Sequence, residues 1–360
     1  MKRFPFFPGA LKKMKTGSGV SFFLLLILFA GCSRQEEIAV PRVPASSEPL
    51  KKVLYIDSYH ADFPWSRGIL EGLKTGFGIT GEADGIPGLY EGQVWLWAFH
   101  MDTKRNPSEE FIQKSAEKAL TAIRDWSPDL VVVSDDNAAR YVVQPRFIDA
   151  RLPVVFCGIN WDAGVYGFPA SNITGMVEVA LIPQLVDMLL LYAGGRRVAF
   201  LKDDTNTARR EAENFEKLLG YPIDSFFPGT FDRWKADFLR LQEEADVLLV
   251  GYPAGAAGWG EDAKILKDFM LANTRIPTGA WDEWLCEMVL VTKANRAEEQ
   301  GEWASGAALE ILAGRSPAEI PVVRNVQAAD YLNMTLAKKL NIRFPLETLE
   351  TSHLVGEPEN

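Results

Sequence analysis

The stretch Leu130-Val131-Val132-Val133-Ser134-Asp135-Asp136-Asn137 decides how the chain is read. Four consecutive apolar residues with three β-branched valines make a strand covered on both faces, and the polar run after them marks where it leaves the sheet. The same grammar recurs on either side. Val53-Leu54-Tyr55-Ile56, Pro153-Val154-Val155-Phe156, Val198-Ala199-Phe200-Leu201 and Val247-Leu248-Leu249-Val250 are short apolar runs that end in polar or aromatic residues. Between them, segments such as Ser108–Asp125, Thr207–Leu219, Phe231–Glu244 and Asp262–Ala272 have helical periodicity, and a further helix is expected from Trp65 to about Phe77. Ser108 precedes Glu109 and Glu110, a cap and first turn suited to the helix dipole. Strand alternating with helix predicts an α/β chain with doubly wound parallel sheets.

Open α/β sheets bind ligands beyond the carboxyl edges of their strands, so the strand exits are the candidate site. They read Asp57-Ser58-Tyr59-His60 with Trp65, Ser134-Asp135-Asp136-Asn137, and Cys157-Gly158-Ile159-Asn160-Trp161-Asp162 in the first half. In the second half they read Lys202-Asp203-Asp204-Thr205, Gly251-Tyr252-Pro253 and Ala280-Trp281-Asp282-Glu283-Trp284. Six such exits over two halves suggest two lobes facing each other across a wet cleft. The candidate ligand-binding residues are Ser58, Tyr59, Trp65, Asp135, Asp136, Asn137, Asn160, Trp161, Asp203, Asp204, Tyr252, Trp281 and Asp282. Ser, Asn and Asp would orient polar groups, while Tyr and Trp would supply stacking area and attract ammonium ions. Capping is the competing role for single members such as Asp135, Asp136 and Thr205. Trp126, Trp234 and Trp303, on helices, are expected in the core.

Several chemistries lack their residues. No Gly-x-Ser-x-Gly turn follows a strand, and the loop Gly251–Gly260 has Glu261 and Asp262 where a phosphate loop needs Lys. Three dispersed histidines (His60, His100, His353) and no His-Glu-x-x-His make no zinc site, and no cofactor is expected. Adjacent Asp135 and Asp136 point different ways from a strand exit, which disfavours a shared proton.

The start of the chain is a basic stretch (Lys2, Arg3, Lys12, Lys13, Lys15), then the apolar run Val20–Ala30. That is the layout of a secretory signal, too short to span a bilayer as a helix. Leu28-Phe29-Ala30-Gly31-Cys32 resembles the bacterial lipobox, although Phe29 stands where Leu is usual. The resemblance implies cleavage after residue 31 and lipidation of Cys32 by acyl chains such as palmitate. Residues 32–50, with Pro41, Pro44 and Pro49, read as a stiffened tether. Loss of the five basic residues before Cys32 takes the formal charge from −10 to −15, which argues against nucleic acid or an anionic surface as partner. Cys157 and Cys286 beside strands are expected as free thiols.

Ile56-Asp57-Ser58-Tyr59-His60, Gly68-Ile69-Leu70-Glu71-Gly72, Met101-Asp102-Thr103-Lys104-Arg105, Asn172-Ile173-Thr174-Gly175, Ile311-Leu312-Ala313-Gly314 and Ile320-Pro321-Val322 carry a resemblance over Lys51 to Pro345. The chain resembles ABC-transporter substrate-binding proteins of periplasmic-binding-protein type I architecture, above all the branch with tryptophan- and tyrosine-transporter binding lipoproteins. It is also similar to extracytoplasmic sensor domains of histidine kinases. The resemblance implies two lobes joined by three crossovers, placed near Asn172–Val179, Leu285–Thr292 and Pro317–Val322. Residues 51–171 and 289–316 would form lobe one, 172–288 and 317–345 lobe two, and 346–360 a C-terminal tail. It implies a small-molecule ligand (an amino acid or another small polar or aromatic solute), an ABC permease as partner, and a lipid-anchored protein outside the cytoplasm that is not an enzyme. The alternatives are a ligand-sensing subunit for a membrane histidine kinase and an extracytoplasmic α/β hydrolase or lyase. The abundance of exit carboxylates keeps a cationic or hydroxyl-rich ligand open.

Overall fold

The apolar runs form the spines of two seven-stranded sheets. The structure, a computed structural model, describes residues 40–42, 49–83, 86–260 and 262–356. The signal-like segment, Cys32, most of the tether and residues 357–360 lie outside these. The strands are β1 (Lys52–Asp57), β2 (Leu89–Glu91), β3 (Trp95–His100), β4 (Leu130–Ser134), β5 (Val154–Asn160) and β6 (Ile173–Glu178). They continue with β7 (Val198–Leu201), β8 (Asp224–Phe226), β9 (Val247–Val250), β10 (Thr278–Ala280) and β11 (Val291–Asn295). Last come β12 (Val323–Arg324), β13 (Ala328–Asn333) and β14 (His353–Val355). The first sheet runs β12-β6-β5-β4-β1-β3-β2 and the second β14-β13-β11-β10-β9-β7-β8. Pairing is parallel except for β2 with β3 and β11 with β13.

The helices are α1 (Pro64–Gly76), α2 (Glu109–Trp126), α3 (Asp135–Ala138), α4 (Ile182–Leu190) and α5 (Asn206–Leu219). They continue as α6 (Phe231–Glu244), α7 (Ala263–Asn273), α8 (Ala297–Leu312), α9 (Met334–Lys339) and α10 (Leu346–Thr351). Four of the long ones start on the side-chain caps their sequence offers. Ser108, Thr205, Thr230 and Asp262 accept from Phe111 N, Ala208 N, Arg233 N and Lys264 N at 3.3, 3.1, 3.2 and 2.9 Å. Each sheet is covered on both faces. α2 packs on one face of the first sheet and α1 with α8 on the other; α4, α5 and α9 flank the second sheet opposite α6 and α7. Trp126 and Trp234 are buried as expected, and Trp303 packs at the margin of the first core.

Helices α1 and α8 pack in direct backbone contact. A Cβ on Gly72 would lie 2.2 Å from Glu298 O, and one on Gly301 would lie 2.0 Å from Ile69 O. Two bare backbones therefore touch, and any side chain at either position would force the helices apart.

The crossovers fall one strand later than expected. Ile173–Glu178, expected as the first crossover, is β6 and pairs with β5; the chain leaves the first sheet at Val179. Val291–Asn295, expected in lobe one, is β11 and pairs with β10 and β13 in the second sheet. Val323–Arg324, expected in lobe two, is β12 and pairs with β6 in the first sheet. The ladders run to the last residue before each switch, so the hinge takes up only the few residues beyond them. The C-terminal segment is no loose tail either: α10 leads into β14, which pairs with β13. Among the described residues no helix is long and apolar enough to cross a membrane.

Candidate functional site

The exit of β1 is a closed polar knot. Asp57, fully buried, accepts from Ser66 Oγ (3.0 Å), Ser134 Oγ (3.1 Å), His100 Nδ1 (2.7 Å) and Tyr59 N (3.2 Å). Because the Ser134 proton goes to Asp57, the Tyr55 hydroxyl donates to Ser134 Oγ at 2.9 Å. Ser58, also fully buried, donates to Ser134 O (2.6 Å) and accepts from Ala138 N (2.8 Å). Asn137 Nδ2 donates to Thr103 Oγ1, which in turn donates to Ser58 O. Ser58 and the Asn137 Nδ2 thus tie the exits of β1, β3 and β4 together, and the Ser58 hydroxyl is fully committed within the fold.

The next exit is different. Asp135 takes a positive φ of 66° and is 2 % exposed. Its Oδ1 accepts from Trp65 Nε1 at 3.0 Å, while Oδ2 is buried with no hydrogen-bond partner. Burial, then the charges of Asp57, Glu178 and Asp136, push its pKa well above the usual carboxylate range. Gly158, at φ +64°, makes room for this arrangement. A Cβ there would sit 3.2 Å from Asp135 Oδ1 and 3.4 Å from Trp65 Nε1. Asp136 points the other way and accepts from Asn160 Nδ2 (3.0 Å) and Tyr166 OH (2.7 Å). The Asp135 charge is the largest cause holding the Tyr59 phenol protonated, with burial next. Lys104 Nζ stands 4.8 Å from the Tyr59 and Phe63 ring centroids.

The ends of β6, β11 and β12 meet at the hinge. Asn325 accepts from Val179 N (2.7 Å) and donates to Val179 O (3.1 Å) and Asn295 Oδ1 (3.0 Å). Asn295 Nδ2 in turn donates to Glu178 Oε1 at 3.1 Å. Glu299, on α8, accepts from Val326 N and Gln327 N, both at 2.8 Å. One side chain from each ladder end therefore pins the three crossovers to one another. Glu178 has its pKa pushed up to about 7, first by burial and further by Asp136 and Asp282; Asn295 and Lys104 oppose this.

The two sheets approach one another beside Glu178, whose backbone O accepts from Trp161 N at 2.9 Å, while the Trp161 ring packs against the core of the second sheet. Asp282 accepts no side-chain cap bond and is pushed up to about 6, mainly by burial and then Glu211, against Lys202. Lys202 Nζ is held by Glu211 at 2.6 Å and lies 5.5 Å from the Trp281 ring. Trp161, at φ +62°, extends from the first sheet into the aromatic cluster of the second. Its ring lies 6.0 Å from Phe215, and Trp281 lies 4.8 Å from the same ring.

Tyr59, Trp65, Asp135, Asp136, Asn160, Trp161, Trp281 and Asp282 are thus drawn into one neighbourhood. Asp203 is buried and accepts from Thr205 Oγ1 and Gly255 N, joining two exits of the second sheet. Asp204 is exposed and paired with Arg209. Tyr252 packs edge-on against Trp259. Trp284, another exit aromatic, is 66 % exposed on the surface. Sequence reading missed Glu178, Asn295 and Asn325 as site residues. Glu178 ends the run Ile173-Thr174-Gly175-Met176-Val177 and so carries the same strand-exit signature as the others.

The fold has solved counterparts. The ligand-free, open structure of a substrate-binding protein with adhesive properties from Clostridium difficile superposes with a TM-score of 0.65 at 16% identity, covering 84% of this chain and 99% of its own. An ABC domain in complex with L-Trp from Streptococcus pneumonia gives 0.54 at 16% identity, over 85% and 100% of the two chains. A conserved domain protein from Vibrio cholerae gives 0.53 at 16%, over 85% and 99%. The fold is that of a two-lobed substrate-binding protein. No family model and no curated protein matches the sequence. The acidic and aromatic group just described lies beside the crossovers that join the two sheets.

Proposed function

We propose that the protein is an extracytoplasmic solute-binding lipoprotein that captures a small molecule between its lobes, closes about the hinge and presents the ligand to an ABC permease. The observation that carries this reading is the meeting of the two lobes at Trp161, whose N–H donates to Glu178 O at 2.9 Å and whose ring shares Phe215 with Trp281, beside crossovers short enough to act as a hinge. Cys32 would carry the lipid, and the tether would hold the lobes off the membrane. One acyl chain binds a bilayer only marginally, so stable anchoring calls for several.

A binding role fits these groups better than a hydrolytic one. Asp57 and His100 look like two parts of a triad, but the neighbouring hydroxyls of Ser66 and Ser134 both donate to Asp57 itself. Neither is turned for His100 to deprotonate.

The test is a thermal shift of the full chain against amino acids, nucleosides, sugars and polyamines. A true ligand at 100 times its Kd should add about 2.7 kcal/mol of apparent stability. Turnover of a bound solute, or no shift with any class, would overturn the reading.

A further inference from the structure

The exit of β5 is distorted. Its ladder to β6 slips between Phe156 and Ile159, Gly158 stands at φ +64°, and Trp161 stands at φ +62°. Asp162 N donates to Asn160 O at 2.7 Å, so Trp161 is the centre of a γ-turn with positive φ, the rare and strained form. A bulky residue is out of place there. The turn is nevertheless held on both sides. Asn160 pairs with Glu178, Trp161 N donates to Glu178 O at 2.9 Å, and Asp162 Oδ1 accepts from Gly164 N at 2.8 Å. Ala163 and Tyr166 then enter the first core. Strain of this kind persists only where its surroundings offset it.

The side chain that the turn delivers ends in the other lobe. The indole packs on the second core, with its ring 6.0 Å from Phe215 on α5. Phe215 is fully buried and meets Trp281 at 4.8 Å and Phe200 at 5.3 Å. Aromatic pairs at such distances attract one another beyond the area they bury. The backbone of Trp161 is fixed to Glu178, the last residue of β6, and Asn325 holds Val179 just beyond it. A rotation about the crossovers therefore carries the turn with the first sheet and draws the ring away from the second.

We propose that Trp161 is a latch between the lobes: a side chain of the first lobe, delivered by a strained turn, that holds the second lobe against it when no solute is present. Opening the cleft requires the indole to leave Phe215. Access to the space between the lobes is thus governed by a residue of the chain itself. The latch goes beyond the capture reading and needs only the two-lobed fold.

The experiment is pulsed electron paramagnetic resonance on the full chain without solute, with non-cysteine spin labels at the exposed positions Lys114 on α2 and Lys264 on α7. Each variant is first checked for a cooperative melt. Trp161→Ala and Phe215→Leu should each move part of the distance distribution to a new value, raising the ratio of displaced to latched molecules at least about threefold. The double variant should shift no further than the larger single, because both remove one contact. Trp161→Phe, which keeps a ring in place, and Trp284→Ala, on the surface, should keep the parent distribution. Unchanged distances in folded Trp161→Ala and Phe215→Leu overturn the latch, and so does a double variant whose shift is the sum of the two. Should Trp161→Ala fail to fold, the Phe215→Leu distances decide alone. Since no arm contains a solute, failure here leaves solute capture standing, and a solute panel that gives no shift leaves the latch standing.

Discussion

Asp57 ends β1, Asp135 directly follows the neighbouring β4, and both are hidden from solvent, yet they are opposites. Asp57 accepts from four donors and belongs to a knot that ties β1, β3 and β4. Asp135 has one donor and an idle buried oxygen. A carboxylate saturated by its own fold is structural. One held dry and half-satisfied carries a cost that its surroundings support, and such costs gather at sites that do something.

The contrast can be broken most directly at Asp57. Asp57→Ala strands the donors of Ser66, Ser134 and His100, and should cost about 3–5 kcal/mol in denaturant unfolding. A loss below about 1 kcal/mol would erase the distinction. The hinge sharpens it, because Asn325 has the same saturated character at the crossovers. Asn325→Ala should lower stability by about 2 kcal/mol in the same melt.

The acidic side of the comparison predicts an unusual pH response. Glu178 has a pKa raised to about 7 and Asp282 to about 6, so the native state holds protons that the unfolded chain releases. Their stabilisation is complete below the unfolded carboxylate range and is lost as pH rises through about 6 and 7. Ligand-free stability should fall from pH 5 to pH 8 by on the order of 2 kcal/mol, and Glu178→Gln should flatten the slope of Tm against pH. Asp135→Asn keeps the acceptor for Trp65 and removes the confined charge. It should change stability by less than about 1 kcal/mol, in the stabilising direction at pH 8. Asp204→Ala, on the exposed pair with Arg209, should move the same melt by no more than about 0.5 kcal/mol.

Much of the framework was legible in the sequence because buried parallel strands write themselves as unbroken apolar runs. Strands with interruptions were not. β6 contains Thr174 and Gly175, and it reads as a crossover until Phe156 is in place, 2.3 Å from where a Gly175 Cβ would stand. The edge strands β2 and β8, three residues each, are too short to announce themselves. The candidate site was legible as a set of exits, but the role of each residue was not. Ser58 and Asp203 have the same residue types as groups that face a cleft, and only their partners reveal that they are spent inside the fold. Glu178 was hidden by its strand rather than by its chemistry.

The glycine contact between α1 and α8 bears on how the molecule comes into being. α8 follows β11 in the chain but packs on α1, and Thr174 on β6 donates to Ile320 O across 146 residues. The first lobe thus remains an unfinished object while the whole second lobe is being made. At about 5–20 residues per second, its α1 face stays uncovered for many seconds of synthesis. Whatever keeps that face from sticking to other chains must act during this interval, before Gly301 arrives to close it.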